Sequence, residues 1–155
     1  MTEPIVPLAR LLAMSYRWMI DQLHDRLVAS GWNGIRPAYG FVLLAVRNEP
    51  ITPTALATRL GVSKQAASKL ADAMVTAGLI NRDPADGDGR QRLLSLGSSG
   101  RELLHDVEQI YEELEAGWAA LVGHNEVTSL RETLTEITLT VNNGRYPDLR
   151  PDDLE

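Results

Sequence analysis

The sequence has 155 residues, enough for one domain with a complete apolar core. Hydrophobic residues make up 44% and charged residues 23% of it, as is usual for a globular protein. The absence of cysteine excludes disulfides, thiol nucleophiles and thiolate metal sites. No apolar run approaches the roughly 18–20 residues of a membrane helix, and no secretory signal is visible, so we expect a cytoplasmic protein.

Charge is distributed unevenly along the chain. The formal net charge is −6, but residues 93–155 alone carry −9, because four arginines face thirteen acids. Residues 1–46 carry +1, and residues 47–92, with seven Lys or Arg against five acids, carry +2. Since binding to a polyanion depends on a local patch, a nucleic-acid site would have to lie in the middle third.

Two helices are predicted before residue 50. From Pro7 to Ala29 apolar residues recur at spacings of three and four, which is typical of an amphipathic helix. A loop at residues 31–34 separates it from a second helix, which Pro37 opens and which extends from Ala38 to Arg47. The second helix is apolar nearly all round, so we expect it to be buried.

A helix-turn-helix is predicted next. Thr52 and Pro53 form a typical helix start, and Gly61 suits the end of a short helix. Ser63 can then cap a second helix that stops at Gly78. One side of this second helix is apolar, and the other is basic, amide-bearing and free of glutamate; its members are Lys64, Gln65, Ser68, Lys69 and Asp72. Such a polar face suits the major groove of DNA.

A β-hairpin is predicted directly behind the helix-turn-helix. Residues 79–82 and 92–96 resemble short strands, and the segment between them is dense in turn residues. This order of elements is that of a winged helix. The last third is helical again, with an apolar seam from Val127 to Val141 at spacings of three and four.

The predicted fold class is therefore mainly α with a small β-hairpin wing. We expect a single domain over residues 1–155, in which residues 36–97 form the winged helix-turn-helix. Residues 7–30 and 98–143 would be dimerisation helices, because their apolar seams would otherwise face water, and residues 144–155 would be a flexible tail.

From about Leu8 to Asn143 the chain resembles the multiple-antibiotic-resistance regulator (MarR) family of bacterial winged-helix transcription factors. The most specific part is the wing, where the family's motifs are matched by Leu79-Ile80-Asn81-Arg82, Asp88-Gly89-Arg90 and Leu96-Gly97-Ser98-Ser99-Gly100. Gly97 departs from the pattern, since the family usually has threonine there, and we expect Ser98 to replace its hydroxyl as the helix cap. The resemblance implies a homodimer that binds a pseudo-palindromic operator and often releases it when a small phenolic ligand binds.

The expected function is sequence-specific binding of double-stranded DNA, as a repressor relieved by a ligand. The candidate DNA-binding residues are Thr54, Ser63, Lys64, Gln65, Ser68, Lys69, Arg90 and Arg92. The resemblance implies that Asp88 supports the wing and that Arg90 reaches the minor groove or its phosphates. Arg90 and Arg92 could instead form ion pairs with Asp86 or Asp88.

Other functions are weighed against this one. A winged-helix module that binds protein, or only senses a ligand, would keep the fold but lose the basic face. An enzyme is not indicated, because no catalytic constellation, metal-ligand spacing or cofactor motif is present. Trp18, Tyr39 and Trp118 could line a pocket for an aromatic effector, although core or dimer contacts are the commoner role for aromatic residues at helical spacing.

Overall fold

The computed structural model describes residues 5–85 and 88–150, and of residues 88–90 it describes the backbone alone. The elements follow one another as α1 (Leu8–Ala29), α2 (Pro37–Val46), α3 (Pro53–Leu60), α4 (Lys64–Thr76), β1 (Ile80–Ala85), β2 (Asp88–Leu96), α5 (Ser98–Val122) and α6 (His124–Val141). Within these ranges no helix is long and apolar enough to cross a membrane.

The helix-turn-helix is built by local capping, as predicted. The Thr52 hydroxyl accepts a hydrogen bond from the Ala55 amide at 3.1 Å, and the Ser63 hydroxyl accepts one from the Ala66 amide at 3.1 Å. Each bond satisfies an amide that would lack a partner at a helix start. Between the two helices Gly61 takes a left-handed conformation with φ 69°, which glycine adopts without strain.

The wing is an antiparallel hairpin that is longer than the sequence pattern predicts. The pairing continues from Ile80 opposite Leu96 to Pro84 opposite Arg92, with an irregularity between Pro84 and Ala85. Asp83 and Pro84 are typical turn residues, but a two-stranded ribbon has outer edges where a proline without an amide hydrogen costs no ladder bond. Ile51 adds a short bridge to Leu94, with hydrogen bonds of 3.0 and 2.8 Å.

The junction between wing and α5 differs from the expected cap. Gly97 stands at the N-cap position, and no side chain caps α5, so Ser98 does not replace the hydroxyl. The Gly97 amide donates to the Leu79 carbonyl at 3.0 Å, and a Cβ on Gly97 would lie 2.9 Å from the Gly78 carbonyl oxygen. Close backbone packing therefore explains glycine at this position.

One apolar core contains residues of the five helices α1, α2, α3, α4 and α5 and of the base of the wing. Its most completely buried large side chains include Leu27, Leu43, Leu56, Met74, Leu79, Ile80, Leu94, Leu103 and Leu114. The buried character of α2 and the apolar side of α4 are thus confirmed. By contrast, α6 has no buried residue, and apolar side chains at the start of α1 and the end of α5 are exposed, such as Leu8 at 66% and Leu121 at 81%.

Candidate nucleic-acid interface

Helix α4 presents its polar side to solvent. Ser63, Lys64, Gln65 and Lys69 are exposed and Ser68 is half-buried, whereas Ala67, Leu70, Ala71 and Met74 pack into the core. The exposed side begins at the N-terminus of α4. The backbone amides of the first turn and the side chains of Lys64 and Lys69 therefore lie on the same surface. A helix N-terminus favours anions such as phosphate through its amides and dipole.

Thr54 is exposed in the first turn of α3. The helix-turn-helix therefore has a second helix N-terminus that could bind phosphate. The Thr54 carbonyl accepts a hydrogen bond from the Thr58 hydroxyl at 3.2 Å. Backbone amides and short hydroxyl side chains at such positions commonly bind phosphate oxygens of DNA.

The basic residues of the middle third divide into two groups. Arg47, Arg59 and Arg82 form ion pairs with Glu108, Glu49 and Asp72 at 2.7, 3.1 and 2.7 Å. Within the described part of the chain, no ion pair involves Lys64, Lys69 or Arg92. The first group therefore positions helices and wing, and the second group leaves positive charge available to a polyanion.

The wing carries the remaining candidates. Arg92 is exposed on β2, opposite Pro84. The side chains of Arg90 and Asp88 lie outside the described part of the structure, as do Asp86 and Gly87. The proposed support of the wing by Asp88, and the alternative pairing of the arginines with Asp86 or Asp88, stay predictions.

A separate apolar cavity of about 270 Å³ lies between α1, α2 and α5. Its wall is mostly aliphatic, with a few polar groups that include Tyr16, His24, Arg36 and Tyr111. Burial, with a smaller contribution from Tyr16, raises the pKa of Tyr111 to about 12. A hydroxyl that stays neutral in an apolar chamber can donate a hydrogen bond to a small ligand.

The three aromatic residues that the sequence suggested as a ligand pocket do not line this cavity. Trp18 and Trp118 stack on each other, with ring centroids 5.9 Å apart, and so join α1 to α5. Tyr39 is buried in the core, with the Arg36 guanidinium 6.0 Å from its ring centroid. These contacts favour the packing role that was the alternative for all three residues.

Sequence reasoning missed the residues that do line the cavity. One side of α1 carries Tyr16, Ile20, Leu23 and Leu27, and Leu104 and Tyr111 lie two turns apart on α5. Their helical spacing could have shown that each set lies on one side of its helix. The spacing does not show that these two faces pack around α2, because that contact forms only in the tertiary structure.

Comparison with known proteins agrees with this geometry. Residues 33–91 match the sequence profile of the MarR family. The fold is similar to that of apo MarR from E. coli, with a TM-score of 0.69 and 26% identity over 86% of this chain and 98% of that one. It is also similar to RV1404 from Mycobacterium tuberculosis, with a TM-score of 0.71 and 24% identity over 96% and 100% of the two chains.

A third structure is the MepR F27L mutant of S. aureus, which is bound to an oligodeoxyribonucleotide. Its TM-score is 0.61 at 19% identity over 88% of this chain and 99% of that chain, which is a likeness of fold alone. Curated protein sequences gave no significant match. MarR-family regulators with this fold are transcription factors rather than enzymes, in agreement with the expectation from the sequence. The chain is thus similar to the MarR family of winged-helix transcriptional regulators, by sequence profile over residues 33–91 and by fold over most of its length.

Proposed function

We propose that the protein is a homodimeric regulator that binds double-stranded DNA with sequence specificity. The observation that carries the proposal is the exposed polar side of α4, with Lys64 and Lys69 outside any ion pair in the described chain. In this binding mode α4 enters the major groove, with Gln65 and Ser68 toward base edges and the lysines toward phosphates.

Thr54, Ser63 and Arg92 complete the phosphate contacts in this proposal. Ser63 is already engaged as a cap, so its contribution is the positively polarised helix start rather than a free hydroxyl. Arg90, from the wing, is assigned to the adjacent minor groove, where narrow A·T-rich stretches concentrate negative potential. Asp88 is assigned to hold that arginine in place.

The second copy of the chain would cover the exposed apolar residues of the terminal helices. Leu8, Leu11 and Leu12 at the start of α1, and Leu130 and Ile137 on α6, are all exposed in the single chain. Large apolar side chains left exposed on helices are often covered by a partner subunit. A monomer in sedimentation velocity at micromolar concentration would contradict the dimer, and Ile137→Asp should convert the dimer to monomer while Glu132→Ala should not.

Repression relieved by a small aromatic ligand is the form of regulation we propose. The cavity between α1, α2 and α5 supports it, since it is apolar and holds a few hydrogen-bonding groups. One of its walls is α2, which packs against α3 and α4 of the helix-turn-helix. The residues assigned to the ligand are now Tyr16 and Tyr111 in place of Trp18, Tyr39 and Trp118.

The experiment is a titration of the full chain with a random-sequence duplex and with duplexes selected from a random pool, at several salt concentrations. DNA binding predicts an affinity that falls steeply with salt and a selected sequence with two related half-sites. A module that binds only protein or ligand predicts retention on neither duplex. A Lys64→Ala/Lys69→Ala variant should lose binding, and Arg101→Ala, which removes an exposed charge on α5, should retain it.

A further inference from the structure

The residues that follow α6 return to the body of the protein. Leu149 contributes to the wall of the cavity between α1, α2 and α5, although its own side chain is 62% exposed. It therefore lies at the mouth of the cavity, between the chamber and solvent. The sequence pattern predicts a flexible tail over residues 144–155, but the described part of this segment makes specific contacts.

The next residue contacts the helix-turn-helix. Atoms of the Arg150 side chain lie 3.0–3.2 Å from the point where a Cβ would stand on Gly61. Gly61 occupies the turn between α3 and α4, and its lack of a side chain makes room for this arginine. Two adjacent tail residues thus contact two different features, the cavity and the turn that precedes α4.

We propose that residues 148–150 form a strap that competes with a small ligand for the cavity and links the occupancy of the cavity to the helix-turn-helix. With the strap closed, Leu149 covers the mouth and Arg150 packs on the turn. A ligand that fills the chamber displaces Leu149, and because Arg150 is its neighbour in the chain, Arg150 moves away from Gly61 at the same time.

The energetic consequence is a reduced apparent affinity for the ligand. A ligand that needs the open state binds more weakly by the fraction of molecules that are open, so a strap closed nine times in ten lowers affinity about tenfold. The inference rests on the proposed function only in treating the cavity as a ligand site. The strap itself depends on contacts that do not involve DNA.

The test uses a spin label, since the chain has no cysteine and a single one can be placed at will. A nitroxide on Asp148→Cys should have restricted motion, and Leu149→Ala or Arg150→Ala should increase its mobility severalfold. A label on Glu132→Cys, on the exposed side of α6, should respond to neither substitution. Equal mobility at position 148 in all three backgrounds would overturn the strap.

Competition is tested with 2-naphthol, a fluorescent phenol small enough for the chamber. Leu149→Ala should bind it severalfold more tightly than the unaltered chain, and Tyr146→Ala, which removes another exposed tail side chain, should not. Saturating 2-naphthol should also mobilise the label at position 148. Equal affinities, or no binding even to Leu149→Ala, would overturn the competition. The duplex titration tests DNA binding separately, so failure of the strap and failure of the proposed function can be distinguished.

Discussion

A guanidinium nitrogen of Arg82, on the first strand of the wing, lies 2.7 Å from a carboxylate oxygen of Asp72 on α4. This ion pair joins the wing to the helix assigned to the major groove, and it neutralises an acid on the polar side of that helix. Arg82 belongs to the strand motif by which the sequence resembles the MarR family. The ion pair gives this motif a physical role, which is to connect the wing to α4 and to neutralise the acid on the polar side of that helix.

Arg82→Ala should weaken binding to every duplex, because it leaves the Asp72 carboxylate unneutralised beside the DNA surface. The effect on folding should be small, about 0.2–1 kcal/mol, since both partners are partly exposed to water. Adding Asp72→Asn to the variant should restore most of the affinity. If the double variant binds as weakly as Arg82→Ala alone, the ion pair acts through orientation rather than through charge.

Gly100→Ala should destabilise the protein by about 1–3 kcal/mol, the usual cost of overpacking a core. A Cβ at this position would overlap the Leu79 carbonyl oxygen and lie 3.1 Å from a Leu43 methyl carbon. Gly117→Ala, in the same helix, has no atom within 4 Å of the added carbon and should stabilise by about 0.5–1 kcal/mol. Urea denaturation measures both, and equal effects would contradict the close approach of α5 to Leu79.

Gln65→Ala and Lys69→Ala should affect DNA binding differently. An amide can pair bidentately with adenine, so Gln65→Ala should cost roughly 1–3 kcal/mol on the preferred site and relax sequence preference. Lys69→Ala should weaken all duplexes and lower the salt slope by about one for each phosphate that a subunit no longer neutralises. Titrations of selected and random duplexes distinguish the two, and a uniform decrease in both variants would remove Gln65 from base readout.

Arg90→Ala should abolish a preference for A·T base pairs at the flanks of the site and weaken binding, because a guanidinium is drawn to a narrow minor groove. The measurement compares one core site with A·T or G·C flanks against both proteins, with sedimentation to show that the dimer persists. An unchanged flank preference at undiminished affinity would make Arg92 the next candidate.

Stability at alkaline pH should depend on Tyr111. Its folded-state pKa of about 12 lies above the ordinary value of 10.0, so the folded chain holds this proton more tightly than the unfolded chain does. The resulting stability is complete below pH 10 and is lost as the pH rises toward 12. Urea denaturation at pH 8 to 11 should therefore show a shallower decline for Tyr111→Phe than for the unaltered chain. The exposed Tyr146→Phe is the control and should decline like the unaltered chain.

The sequence predicted best what local chemistry determines. The caps at Thr52 and Ser63 and the glycine between α3 and α4 act within a few residues, so their pattern is visible in the chain itself. The cavity is not, because α1, α2, α5 and Leu149 meet only in the tertiary fold. The wing strands were predicted too short because proline is expected to end a strand. That holds for central strands, which need every amide for pairing, but Pro84 lies in a two-stranded ribbon that has no central strand.

The continuous α5 has a mechanical consequence. It begins against Leu79 at the wing base and carries Trp118, stacked on Trp18, near its other end. Its 25 residues span roughly 37 Å at 1.5 Å per residue. A tilt of about 5° at one end of such a lever displaces the other by roughly 3 Å, which is close to the rise of one base pair. In the proposed dimer, a small change in the tilt of α5 beside the cavity would shift the wing base. If α4 moved with the wing base, it would be displaced from its half-site by about one base pair.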